Sequence, residues 1–93
     1  MPSPTDERRR SAETIRRVES DPRYITARAA SKAAERELIN AKNAFVRATN
    51  ASDKDAIVQA ALAVTNAGIA NNDALRAKQE TFKVILEELD RAR

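Results

Sequence analysis

Residues 24–48 read YITARAASKAAERELINAKNAFVRA, and their small and apolar side chains recur at alternating intervals of three and four. In a helix, this spacing places one row of side chains on a single face: Tyr24, Ala27, Ser31, Ala34, Leu38, Ala41, Phe45 and Ala48. Such a heptad pattern is typical of helices that pack along their whole length. Because every second position in the row is alanine, a facing helix can approach closely.

A second row with the same spacing follows in the C-terminal half, and it consists of alanine throughout: Ala56, Ala60, Ala63, Ala67, Ala70, Ala74 and Ala77. We expect the two rows to face each other as the seam of an antiparallel helix pair. The sequence therefore predicts an all-α fold, either a helical hairpin or a small three-helix bundle.

The helix boundaries follow from prolines and polar clusters. Helix 1 is predicted at about 4–18, and Pro22 then starts helix 2, at about 22–49. We expect a turn at 50–55, with Asn50 in the left-handed conformation and Ser52 and Asp55 forming a capping box. Helix 3 is predicted at about 53–91. The poor helix formers at 71–73 are a candidate break, but we favour a continuous helix.

Length and composition indicate one domain over residues 1–93, with 1–20 as a semi-independent basic helix. The hydrophobic content is 42 % and the aromatic content only 3 %. Because alanine buries little area, the core is predicted to be thin, and burial against a partner would add to it.

Helix 3 carries an apolar stripe outside its seam, formed by Val58, Leu62 and Ile69. Helix 2 adds a similar row beside its own seam: Ile25, Ile39 and Val46, interrupted by Lys32. A helix that is apolar on several sides is normally buried on several sides. Either helix 1 covers the helix 3 stripe with Ile15 and Val18, or a second chain or larger partner does. We expect the latter, so these six residues are the predicted interaction face.

The residue content argues against catalysis. The chain has no cysteine and no histidine, which excludes thiolate nucleophiles and the common zinc sites. It also lacks a glycine-rich phosphate loop, calcium-binding spacing and a paired acid and base. We therefore predict no enzymatic activity, no cofactor, no metal and no small-molecule substrate.

The N-terminal arginines support an alternative function. Arg8, Arg9, Arg10, Arg16 and Arg17 are candidate contacts to phosphates or to an acidic protein partner. Acidic residues lie among them, however, and the whole chain balances 17 basic against 14 acidic residues for a net charge of +3. A nucleic-acid-associated protein is therefore the alternative, and salt-bridged, solvated helices are the simpler interpretation.

The sequence thus predicts a non-catalytic structural or interaction module that forms homo-oligomers or belongs to a larger assembly, for example a phage or bacterial particle. A designed helical bundle is a second alternative, favoured by the high alanine content and opposed by the many asparagines. Residues 1–7 lack the apolar core of a signal peptide, and no segment is long and apolar enough to span a membrane, so we expect a cytoplasmic location.

Overall fold

The computed structural model describes the backbone of residues 4–92 and the side chains of residues 11–92. Three helices make up this part of the chain: α1 (Pro4–Ser20), α2 (Pro22–Asn50) and α3 (Lys54–Arg91). The all-α prediction is confirmed, and α2 and α3 form the antiparallel hairpin. α3 is continuous through residues 71–73, as favoured from the sequence. Asn71 is half-buried in the hairpin, where packing outweighs its low helix propensity.

The break between α1 and α2 is fixed by Asp21 and Pro22. Asp21 has an extended backbone, and its carboxylate accepts a hydrogen bond from the Arg23 backbone N–H at 2.8 Å. Pro22 occupies the first position of α2, where its missing N–H leaves no helical hydrogen bond unmade. The predicted break is therefore confirmed, and α1 extends to Ser20 rather than Val18.

The hairpin turn differs in detail from the prediction. Asn50 remains helical, and Ser52 is the residue with a positive φ, at 55°. The capping residue of α3 is Asp53, whose carboxylate accepts from the Ala56 N–H at 3.2 Å. The predicted capping box of Ser52 and Asp55 is wrong because Asp53 already supplies the acceptor for this end of the helix.

The seam of α2 matches the prediction, because every residue of its row from Tyr24 to Ala48 is half-buried. In α3 the predicted alanine row is wrong in part, since Ala63, Ala70 and Ala77 are exposed. The buried and half-buried row of α3 keeps Ala60, Ala67 and Ala74 and takes the next residue at the other positions: Ile57, Ala60, Val64, Ala67, Asn71, Ala74, Lys78, Thr81 and Ile85. This register brings Ile57, Val64 and Ile85 into the seam, and their buried apolar area favours it, although Asn71 and Lys78 are half-buried as well.

α1 meets the hairpin at its open end, where it contacts both α2 and α3. Within residues 11–92 the buried side chains are Val18, Ala60 and Ile85, so α1 contributes one of them. Nearby, the rings of Tyr24 and Phe82 pack edge to face with centroids 5.9 Å apart. The result is an elongated molecule of 66 × 23 × 16 Å.

Candidate interaction surface

The six residues predicted as the interaction face are all exposed. Their exposed fractions range from 45 % to 57 %: Ile25, Ile39, Val46, Val58, Leu62 and Ile69. The alternative in which helix 1 covers the helix 3 stripe does not hold, because Val58, Leu62 and Ile69 stay more than half exposed. Of the two α1 residues offered for that contact, Val18 is buried and Ile15 is exposed.

The antiparallel packing brings most of these residues to one side of the hairpin. In heptad terms, Tyr24, Ser31, Leu38 and Phe45 are a positions of α2, and Ile57, Val64, Asn71 and Lys78 are a positions of α3. In an antiparallel pair, the b and e positions of both helices lie on the same side. We call this side the apolar face and define it by Ile25, Ile39 and Val46 of α2 with Val58, Ala61, Gly68 and Leu75 of α3. Leu62 and Ile69, at f positions, form its outer edge on α3.

Two open clefts on the apolar face confirm that both helices contribute to it. The larger has a volume of about 380 Å³ and is lined by Lys42, Phe45, Val46, Ala61 and Val64. The smaller, of about 210 Å³, is lined by Tyr24, Lys78, Gln79 and Phe82. Neither lining contains a pair of acidic or nucleophilic groups, so the clefts offer apolar contact area rather than a reaction centre.

Gly68 is the one glycine of the chain, and it lies half-buried on this face in the interior of α3. Its φ is not positive, and a Cβ atom added to it would have no neighbour within 4 Å. Glycine in a helix interior costs about 1 kcal/mol relative to alanine. Neither backbone conformation nor packing within the hairpin therefore requires glycine here.

Basic side chains flank the apolar residues of this face. At its b and e positions they are Arg28, Lys32, Lys42 and Lys54, and Glu35 is the acidic residue at these positions. Arg28 stacks over the Tyr24 ring, with its guanidinium carbon 5.8 Å from the ring centroid. The long stems of such side chains extend the apolar surface while their charges remain in water.

The ion pairs found within the described side chains are both made by Arg23. Its guanidinium lies 2.9 Å from Asp21 and 2.7 Å from Glu88, which links the start of α2 to the end of α3. The hydrogen bonds donated by Arg23 lower the pKa of both carboxyl groups, and those two partners raise the pKa of Arg23. All three groups are solvent-accessible, so this cluster is a surface ion-pair network between the two helix ends and is not an unusual chemical centre.

The candidate phosphate contacts are only partly described. Arg16 and Arg17 lie exposed on α1, and the structure brings them to neither cleft. Arg8, Arg9 and Arg10 lie outside the residues whose side chains are described. Among the residues that are described, no three His, Cys, Asp or Glu side chains converge where they could hold a metal ion. None of the helices in that part of the chain is long and apolar enough to cross a bilayer.

Sequence reasoning found the six exposed residues but not that the two rows share a side with Leu75 and Gly68. The missing step was the heptad register of α3, since an error of one residue rotates the inferred faces. Comparisons with protein-family models, with curated proteins and with solved structures find no match for this chain.

Proposed function

We propose that this protein is a non-catalytic structural module that assembles with further copies of itself through the apolar face. A subunit of a larger particle, such as a phage or bacterial assembly, is the specific role that we expect. The observation that supports this proposal is the large surface area that one chain leaves exposed.

The chain has an accessible surface of 7179 Å². The relation for compact monomers gives about 5,400 Å² for a mass of 10.3 kDa, so the excess is about 1,800 Å². A stable dimer of standard size buries about 800 Å² on each partner. One chain therefore has enough surplus surface for a standard interface with a second copy.

The apolar character of the exposed surface supports the same proposal. Within residues 11–92, nine large apolar side chains are exposed, whereas Val18 and Ile85 are the large apolar side chains that are buried. Contiguous apolar patches on monomers are usually interaction sites. Seven of the nine side chains form rows along the apolar face and its outer edge, so a helix or hairpin of matching length fits them better than a compact ligand.

The test is Ile39→Asp, which places a carboxylate in the middle of the α2 row. Light scattering coupled to size exclusion is expected to give a multiple of 10.3 kDa for the wild-type chain and a monomer for the variant. Circular dichroism is expected to show equal helicity, because Ile39 is half exposed and outside the seam.

Asn43→Asp is the matched control, since Asn43 is exposed on α2 at an f position. It is expected to keep the wild-type mass. A wild-type chain that is monomeric throughout the accessible concentration range would refute the proposal. Co-purified nucleic acid, visible in the absorbance ratio because the chain has one tyrosine and no tryptophan, would favour the alternative function.

A further inference from the structure

The side of the hairpin opposite the apolar face differs from it in both size and charge. The g and c positions of the two helices lie here, and we call this side the alanine face. Its small residues are exposed: Ala30, Ala33, Ala63, Ala70 and Ala77. These include the three alanines that were wrongly predicted to lie in the seam.

The alanine face carries four acidic residues and three basic ones. Glu37, Asp73, Glu80 and Glu87 are exposed on it and form no ion pair with any described residue. Its basic residues are Arg47, Arg91 at the end of α3, and Arg23, which is already paired with Asp21 and Glu88. The apolar face, by contrast, carries four basic residues and one acidic residue, as described above. The two sides of one hairpin therefore have opposite electrostatic character.

The opposite charges also lie at similar heights along the hairpin. The contact of Tyr24 with Phe82 sets the register of α2 against α3. One turn further along α2, Arg28 reaches the level of Lys78, and the next turn brings Lys32 to the level of Ala74. Asp73 and Glu80 occupy these same levels on the other side of α3.

From this arrangement we infer that copies of the chain stack head to tail, with the apolar face of one hairpin on the alanine face of the next. The inference rests on the proposed self-association and specifies its geometry. Charge complementarity supports it, because two apolar faces brought together would oppose like charges. Shape supports it as well, because the large side chains of Ile39 and Val46 would meet a face whose exposed apolar residues are alanines, with Val84 near the open end as the exception.

The surplus surface fits two interfaces per chain rather than one. An excess of about 1,800 Å² is roughly twice the 800 Å² that one partner contributes to a standard interface. A contact between two different faces closes into a ring or continues as a filament, depending on the rotation between neighbours. The assembly is therefore expected to exceed a dimer.

Two charge-reversal variants of the full chain test the stacking. One reverses the apolar face with Lys32→Glu and Lys42→Glu, and the other reverses the alanine face with Glu37→Lys and Asp73→Lys. Sedimentation velocity is expected to show that each variant alone self-associates about tenfold or more weakly than wild type, because both of its faces then carry the same sign. An equimolar mixture is expected to recover the assembly, since each variant presents the charge that the other lacks.

The matched control is Arg36→Glu with Arg17→Glu, exposed residues of α2 and α1 outside both faces, which changes the net charge as much as the apolar-face variant does. It is expected to assemble like wild type. Unchanged assembly of the alanine-face variant, or no recovery on mixing, would overturn head-to-tail stacking while leaving self-association in place. A monomeric wild-type chain would overturn both.

Discussion

At the scale of single residues, Gly68 is a residue that the hairpin itself does not require but that the proposed assembly would. Its half-buried site has an ordinary helical φ and room for a side chain, yet it holds the residue that favours a helix least after proline. A close approach of another backbone is a common reason for a helical glycine. On the apolar face, that other backbone would belong to the neighbouring copy.

Gly68→Ala is therefore expected to stabilise the isolated hairpin by about 1 kcal/mol, which raises Tm by about 4–8 °C for a chain of this size. The measurement is thermal unfolding by circular dichroism in the Ile39→Asp background, which removes the assembly. Ala63→Gly, on the exposed alanine face of the same helix, is the reverse control and is expected to lower Tm by a similar amount. A lower Tm for Gly68→Ala would mean that glycine is needed within the hairpin.

Arg23 makes the stability of the hairpin depend on pH through its ion pairs at the open end. The pKa values of Asp21 and Glu88 are lowered in the folded state by hydrogen bonds from Arg23. The unfolded state then binds more protons in acid, so the stabilisation is complete at neutral pH. It is lost as the pH falls below the ordinary pKa values of the two groups, 3.8 and 4.5, and through their lowered values in the folded state. Arg23→Met is expected to lower Tm at pH 7 and to have little effect at pH 2.

The control for this prediction is Arg36→Met, because Arg36 is exposed and makes no ion pair with a described residue. The difference in Tm between Arg36→Met and wild type is expected to be the same at both pH values. If the difference in Tm between Arg23→Met and wild type is also the same at both pH values, the two carboxylates do not stabilise the folded state through Arg23.

At the scale of helices, the sequence predicted what local spacing determines and missed what depends on contact between helices. The α2 seam and the break at Asp21 were correct, because a single row of side chains and a proline determine them. In α3, two overlapping rows share Ala60, Ala67 and Ala74, and only packing against α2 selects Val64 over Ala63. The turn also differs from the prediction. Asp53 caps α3 where Ser52 was expected to, and Ser52 has the positive φ that was expected of Asn50.

The α3 register has a direct mutational test. Val64→Ser is expected to destabilise the hairpin by about 2 kcal/mol, because it removes apolar surface from the seam. Ala63→Ser is expected to cost about 0.5 kcal/mol, the difference in helix propensity alone. Urea unfolding in the Ile39→Asp background measures both. Equal costs, or a larger cost at Ala63, would show that the alanine row forms the seam after all.

At the scale of the whole molecule, the dominant feature is the large exposed surface of the hairpin. In a molecule 66 Å long, the hairpin leaves both of its sides in water, and α1 meets it only at the open end. The six exposed residues could be predicted from their spacing, because they were surplus to any single seam. Their common side and the opposite charges of the two faces could not, since both depend on the register of α3 against α2.

Sedimentation velocity of the wild-type chain over a dilution series measures self-association most directly. We expect the weight-average mass to rise with concentration to several multiples of 10.3 kDa, with no absorbance from nucleic acid. A single species of 10.3 kDa at every concentration would contradict self-association and leave the apolar face to a different partner.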